Sequence, residues 1–169
     1  MRYWFPKCSE ISQERLMQMR MREIRPTIKV ILYDHNGFVW LCENTKKRLT
    51  LPGGGVDVDE LPALGLLREL HEEVHGHVLS QRCIEDMPVL HYGQVPTHRD
   101  GFLNKGLFLT AGVCDSLSDL RPRKSDVLRR PQVIHISKVV EIIWNHQKTP
   151  SKLKELYVEG FMQLRSLLT

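Results

Sequence analysis

The feature that most constrains this chain is a run of three glycines, Gly53–Gly55, between an apolar segment and an acidic helical one. Leu49–Leu51, just before the glycines, predicts a short strand. After them, Leu61–Val74 predicts a helix, since Pro62 suits a first turn and Gly76 suits a helix end. Apolar residues recur at helical spacing and form one stripe: Ala63, Leu67, Leu70 and Val74. The segment therefore predicts a strand, a glycine loop and an amphipathic helix in succession.

Three glutamates of this helix, Glu69, Glu72 and Glu73, are spaced i, i+3 and i+4. This spacing places their carboxylates on one arc of the helix, roughly opposite the apolar stripe. Like charges repel unless something neutralises them, and clustered oxygen ligands suit Mg²⁺ or Mn²⁺. The preceding glycines let backbone N–H and C=O groups approach a ligand closely. Together these features favour a diphosphate as the ligand and a metal-activated water as its attacker.

At these residues the sequence resembles the Nudix hydrolases, whose box reads G-x5-E-x7-R-E-U-x-E-E-x-G-U, where U is aliphatic. Seven fixed positions match in register: Gly54, Glu60, Arg68, Glu69, Leu70, Glu72 and Glu73. His75 stands where the box has its second glycine, and Gly76 follows one residue late. The resemblance implies an α/β fold, a Nudix-like α/β/α sandwich around a mixed β-sheet. It also implies a metal-dependent hydrolase that cleaves a phosphoric anhydride.

The resemblance further implies a role for each box residue. The metal ligands for Mg²⁺, or alternatively Mn²⁺, would be Glu69, Glu72, Glu73 and the carbonyl of Gly53. The substrate loop would consist of Gly53, Gly54 and Gly55, with Glu60 and Arg68 bracing it through a charge-assisted contact to a box carboxylate. The general base would be a box glutamate or an acid from a later loop. The acids between residues 91 and 140 are Asp100, Asp115, Asp119 and Asp126, of which Asp126 ranks first because its loop precedes a final strand.

Two alternatives belong to other functional classes. His71-Glu72-Glu73-Val74-His75 also satisfies H-E-x-x-H, in which two histidines one helical turn apart bind zinc in metallopeptidases. That motif needs a third ligand and does not need the glycine loop, Glu60 or Glu69. The other alternative is a catalytically silent Nudix-fold module that binds nucleotides and regulates. Such modules usually lose box glutamates, and this chain keeps them all.

The remaining pattern predicts strands interleaved with helices, consistent with one domain over residues 1–169. Predicted strands are Thr27–Tyr33, Phe38–Cys42, Leu49–Leu51, Val78–Ile84, Val89–Gln94, Gly106–Cys114 and Val133–Ser137. Predicted helices, besides Leu61–Val74, are residues 10–24, Lys138–His146 and Ser151–Leu168. Residues 1–25 form a helical extension with a basic character, and residues 147–169 form the closing helix. Residues 115–130 predict a long polar loop.

The charge distribution limits the classes of molecule that this chain is expected to bind. The net charge is only +4, yet residues 57–73 hold six acidic residues and one arginine, so the rest of the chain is strongly basic. This distribution suits a metal-bound polyphosphate and falls short of demanding nucleic acid. The longest apolar run is too short to span a membrane, so no membrane partner is expected. The resemblance implies that the substrate is a nucleoside diphosphate derivative. We expect the substrate to be a nucleoside triphosphate, a nucleotide sugar or a dinucleoside polyphosphate, and the sequence is compatible with a homodimer.

No apolar secretory segment precedes residue 25, and the four cysteines are widely spaced, so a cytoplasmic location is expected. Several basic side chains that follow the box are expected to attract a polyphosphate: Arg99, Lys105, Arg121, Arg123 and Lys124. An aromatic ring that stacks on a nucleobase would come from Trp4, Tyr33, Trp40, Tyr92 or Phe102.

Overall fold

The computed structural model describes residues 4–77, 79–123 and 127–169 and is built around a mixed seven-stranded sheet. Its strands are β1 (Ile24–Tyr33), β2 (Phe38–Glu43), β3 (Leu49–Thr50), β4 (Gly53–Gly55), β6 (Val89–Pro96), β7 (Asn104–Val113) and β9 (Arg129–His135). The main order is β3-β2-β1-β7-β6, with β4 paired to β1 and β9 paired to β2. β1 and β7 run parallel, and the other neighbouring strands run antiparallel. A separate two-stranded sheet joins β5 (Val74–His75) to β8 (Arg121–Pro122).

Among the described residues, five α-helices cover the two faces of the large sheet. They are α1 (Gln13–Met21), α2 (Pro62–Glu73), α3 (Gln81–Glu85), α4 (Ile136–Asn145) and α5 (Ser151–Leu168). Alternate residues of β1 enter opposite cores, because successive side chains of a strand point to opposite faces. Ile28 and Val30 pack with α1, α2 and α3, whereas Ile31 packs with α4 and α5. The predicted α/β/α sandwich around a mixed sheet is confirmed.

Two local predictions around the acidic helix were wrong. Val78–Ile84 was predicted as a strand, but α3 (Gln81–Glu85) occupies its second half, and Leu79 and Ser80 precede that helix. Val78 lies outside the described residues. Ser80 begins this helix, because its hydroxyl accepts a hydrogen bond from the backbone N–H of Cys83 at 3.2 Å. The predicted helix Leu61–Val74 ends at Glu73, because Val74 is extended and pairs with Pro122 of β8.

Other helices and strands begin or end a few residues away from their predicted bounds. The helix predicted over residues 10–24 spans Gln13–Met21, because Ser12 caps its N-terminus and Ile24 already belongs to β1. β9 spans Arg129–His135 instead of the predicted Val133–Ser137, and α4 follows it without a gap. The described residues include no helix long and apolar enough to cross a membrane.

Strand pairing at β1 decides what surrounds the glycine run. In antiparallel register, Thr27 pairs with Gly55 and Lys29 with Gly53. On the other edge of β1, Arg25 pairs with Lys105 of β7 in parallel register. The fold therefore brings basic residues of β1 and β7 beside the strand that leads into α2.

Candidate active site

The glycine run forms β4 and passes too close to its neighbours for side chains. Gly53 has a φ of 129°, a conformation that favours glycine, and a Cβ there would overlap the carbonyl oxygen of Ile28. A Cβ on Gly54 would lie 2.5 Å from Oε1 of Glu69. These glycines therefore allow the carboxylates of α2 to approach the β4 backbone directly.

Glu73 is the most buried box carboxylate, with only 4% of the residue exposed. Its Oε2 accepts a hydrogen bond from the backbone N–H of Gly53 at 3.1 Å. Burial raises the pKa of Glu73 to about 7, and the neighbouring Glu69 carboxyl adds to the rise. The ammonium of Lys29 and the Gly53 hydrogen bond oppose that rise without cancelling it. Glu69 and Glu73 therefore form a close carboxyl pair whose charge the protein neutralises only in part.

Arg68 connects the entry of α2 to its acidic face. Its guanidinium donates twice to Glu60, once to Oε1 of Glu69 and once to the carbonyl of Gly55, each at 3.0 Å. These contacts raise the pKa of Arg68 and lower the pKa of Glu60. Glu60 also accepts from the backbone N–H of Asp57 at 3.0 Å. This network holds Glu69 in place and closes the loop between β4 and α2.

Glu72 differs from the other two box glutamates. Its side chain is 59% exposed, and its Oε1 lies 3.7 Å from Nη1 of Arg68. Across residues 4–77, 79–123 and 127–169, no three His, Cys, Asp or Glu side chains are placed closely enough to hold a metal ion. The donor set nevertheless fits Mg²⁺ or Mn²⁺, because Glu69 and Glu73 are adjacent hard ligands whose charge is neutralised only in part. Glu72 and Gly53 line the same cavity as Glu69 and Glu73.

The H-E-x-x-H geometry does not form. Because α2 ends at Glu73, His75 lies on β5 and not one helical turn beyond His71. His71 instead approaches His77, with 3.3 Å between its Nδ1 and Nε2 of His77. The prediction that His71 and His75 share a helical face was therefore wrong.

An open cavity of about 360 Å³ joins the box to the basic residues of the sheet. Its wall contains the three β4 glycines, the box glutamates Glu69, Glu72 and Glu73, and the cations Arg25, Lys29, Arg99 and Lys105. Arg99 and Lys105 were predicted to attract a polyphosphate, whereas Arg25 and Lys29 were not. Their alternation with Thr27 in an otherwise apolar strand was the available signal, since it marks one polar strand face.

The remaining predicted residues are placed elsewhere. Of the five aromatic candidates, none lines the described cavity, and Trp40 is buried in the core. Tyr92 packs against Phe108, and the Arg15 guanidinium lies 4.9 Å from the centroid of the Tyr92 ring. Asp126, the favoured loop base, lies outside the described residues, as does Lys124. Asp100 makes ion-pair contacts to Arg25 and Arg99 at the cavity edge.

Several solved structures resemble this architecture. The MutT protein from Methanosarcina mazei Go1 has a TM-score of 0.57 and 17% identity, covering 84% of this chain and 95% of that chain. The E. coli dihydroneopterin triphosphate pyrophosphohydrolase has a TM-score of 0.59 and 11% identity, covering 84% and 98%. A Francisella tularensis bifunctional NMN adenylyltransferase/ADP ribose pyrophosphatase, complexed with AMP and a Mn ion, has a TM-score of 0.51 and 17% identity. That match covers 92% of this chain and 44% of the bifunctional one.

The family of this chain follows from the match of its sequence to a family model. No curated protein sequence matches the chain at a significant level. The structural identities are low and show the fold, whereas a family model described as NUDIX domain matches residues 23–154, well over half of the chain. The chain therefore belongs to the NUDIX family and is a hydrolase of the class that acts on phosphoric anhydrides.

Proposed function

We propose that this protein is a Mg²⁺-dependent pyrophosphohydrolase that cleaves the diphosphate linkage of a nucleoside diphosphate derivative. The observation that carries this proposal is the Glu69–Glu73 carboxyl pair, which lies over β4 and shares one cavity with four cations. Carboxylates for a metal and cations for phosphate oxygens are the two requirements of diphosphate hydrolysis. Names of structural neighbours, a triphosphate pyrophosphohydrolase and an ADP ribose pyrophosphatase, agree with this reaction class.

Each group of residues at the candidate site has its own role in the proposed reaction. Glu69, Glu72 and Glu73, with the Gly53 carbonyl, would hold the metal, which supplies Lewis-acid stabilisation of phosphate charge and an activated water. Arg68 fixes the position of Glu69 through its hydrogen bond at 3.0 Å. The cavity cations neutralise phosphate oxygens where charge develops on the leaving group. A box glutamate or Asp126 would accept the proton of the attacking water.

The test is hydrolysis of a panel of nucleoside triphosphates, nucleotide sugars and dinucleoside polyphosphates in Mg²⁺, Mn²⁺, Zn²⁺ or EDTA. We expect turnover in Mg²⁺ or Mn²⁺, loss of turnover in EDTA, and a decrease in kcat of about 100-fold or more in Glu73→Gln. Glu72→Gln and Asp126→Asn locate the base, because only the base variant steepens the pH dependence of kcat. His75→Ala is the matched control and leaves hydrolysis unchanged. Zinc-dependent peptidase activity, or tight nucleotide binding without turnover in any metal, would refute the proposal.

A further inference from the structure

The helix α1 is firmly attached to the sheet beside the box. Leu16 and Met19 are buried in the core that α1 shares with α2 and α3. The Arg15 guanidinium lies 4.9 Å from the centroid of the Tyr92 ring and 4.8 Å from the centroid of the Phe108 ring. The whole helix precedes residue 23, where the segment matched by the family model begins. The chain therefore carries a fixed helix outside the segment that the family model covers.

Two side chains of α1 contact the loop that connects β4 to α2. Gln13 and Arg20 are seven residues apart, so two helical turns place them on one side of α1, about 10 Å apart along its axis. Nη2 of Arg20 donates to the carbonyls of Val56 and Asp57 at 2.8 and 2.9 Å. Nε2 of Gln13 donates to the carbonyl of Glu60 at 2.8 Å. The helix therefore holds this loop at both its beginning and its end.

The loop needs a support from outside. Asp57, Val58 and Asp59 are exposed, so they bury little apolar surface. Asp59 has a φ of 64°, a conformation that a residue other than glycine keeps only where its surroundings hold it. The Asp57 carbonyl accepts from the backbone N–H of Glu60 at 3.1 Å as well as from Arg20. The contact with α1 is therefore continuous with the turn that positions Glu60.

Glu60 transmits the position of the loop to the acidic face of α2. Its carboxylate accepts from Nε and Nη2 of Arg68, and Nη1 of Arg68 donates to Oε1 of Glu69, each at 3.0 Å. A displaced loop would draw Glu60 away from Arg68, and Arg68 would no longer hold Glu69. Contacts behind a metal ligand fix its orientation and tune metal affinity. A continuous series of contacts therefore joins Arg20 to Glu69.

We propose that Arg20 and Gln13 are positioning residues for the metal site, which act on Glu69 through the loop, Glu60 and Arg68. The assignment of Glu69 as a metal ligand rests on the proposed function. Neither Arg20 nor Gln13 is among the described residues that line the cavity of the box. Their loss should therefore weaken metal binding and leave the affinity for the nucleotide unchanged. Arg20 contacts two carbonyls and Gln13 one, so Arg20 has the larger effect.

Binding of Mn²⁺ without substrate tests this proposal, with the free ion measured by electron paramagnetic resonance. Arg20→Met keeps the aliphatic stem and removes the donors, and we expect it to raise the Kd for Mn²⁺ about tenfold. Arg20→Lys restores one donor nitrogen and should stay within about threefold of the wild type. The matched control is Arg22→Met, which removes an exposed cation just after α1 and should leave the Kd unchanged. Wild-type affinity in Arg20→Met, or equal losses in Arg20→Met and Arg20→Lys, overturns the proposal.

Thermal unfolding checks that each variant is folded, and Gln13→Met supplies a second variant at an exposed position. We expect Gln13→Met to raise the Kd for Mn²⁺ about threefold. Should Arg20→Met fail to fold, an unchanged Kd in Gln13→Met overturns the proposal.

Amide hydrogen exchange in EDTA tests the loop independently of the metal. Arg20→Met should speed exchange of the Asp57 and Glu60 amides about tenfold and leave the Leu16 amide of α1 at its wild-type rate. Unchanged exchange at Asp57 and Glu60 overturns the proposal. Failure of the wild type to bind Mn²⁺ counts against the proposed function, and the exchange measurement then decides the role of Arg20 by itself.

Kinetics separate positioning of the metal site from a general structural defect. At a Mg²⁺ concentration near the wild-type Kd, Arg20→Met should lower kcat about fivefold and change KM for the nucleotide by less than about twofold. Saturating Mg²⁺ should restore most of kcat, because the defect lies in metal affinity. A loss of kcat that persists at saturating Mg²⁺ together with a raised KM contradicts the proposal.

Discussion

Replacing Glu73 by glutamine should stabilise the metal-free protein at alkaline pH. Glutamine retains the shape of the side chain and an oxygen that accepts the Gly53 N–H, but it carries no charge. In the wild type the pKa of Glu73 is raised from its ordinary value of 4.5 to about 7 because the carboxyl is buried. The attraction of Lys29 is already included in that value, so the ionised carboxylate has a net cost in the folded state.

The magnitude follows from the difference between the two pKa values. A rise from 4.5 to about 7 corresponds to about 3 kcal/mol, at about 1.4 kcal/mol per pKa unit. Below pH 4.5 the carboxyl is protonated in both states, and its favourable contribution to stability is fully present. As pH rises through 7 the folded protein must ionise the buried group, so that contribution is lost. Glu73→Gln should therefore be more stable than the wild type by up to about 3 kcal/mol at pH 8, and by little at pH 4.5.

Urea unfolding in EDTA at pH 5, 6, 7 and 8 measures this difference directly. Glu72→Gln is the matched control, because the Glu72 side chain is 59% exposed and its loss should leave the pH dependence unchanged. Mg²⁺ at one thousand times Kd should reverse the order, since ligand binding then stabilises the wild type by about 4.1 kcal/mol. Equal pH dependence in the wild type and Glu73→Gln would refute the argument that burial controls this carboxyl.

Three further substitutions are expected to lower the free energy of unfolding, which urea or thermal unfolding measures. Arg68→Lys should lower the free energy of unfolding by about 2 kcal/mol and weaken Mg²⁺ binding, because lysine cannot reproduce the forked contacts; wild-type stability would contradict this. Gly53→Ala should prevent folding, whereas Gly101→Ala, which also has positive φ but open space around it, should cost only about 1–2 kcal/mol. Similar stabilities for these two would show that the close approach is unimportant. Thr149→Val should cost about 1–3 kcal/mol, because it leaves the backbone N–H of Leu49 unsatisfied, and an unchanged urea midpoint would argue otherwise.

The box itself could be read from the sequence because its geometry is local. Helical spacing links Glu69 to Glu73. Glu60 lies two residues before the start of α2, which limits how far it separates from Arg68. The same locality explains why Ser151–Leu168 was predicted with its observed bounds. The end of α2 was missed, since Val74 leaves the helix to pair with Pro122, a residue far along the chain.

By itself, the sequence determined the family and the register of the acidic helix, because motif spacing and helical period set these features. The close approach that requires glycine in β4 depends on the pairing of β4 with β1. Only the tertiary structure decided that Glu73 is buried while Glu72 is exposed, because burial depends on which elements cover each face of α2. It also decided that Arg25 and Lys105 meet, since parallel pairing of β1 with β7 joins distant segments. Strand pairing is a long-range choice, and no local pattern specifies its partner.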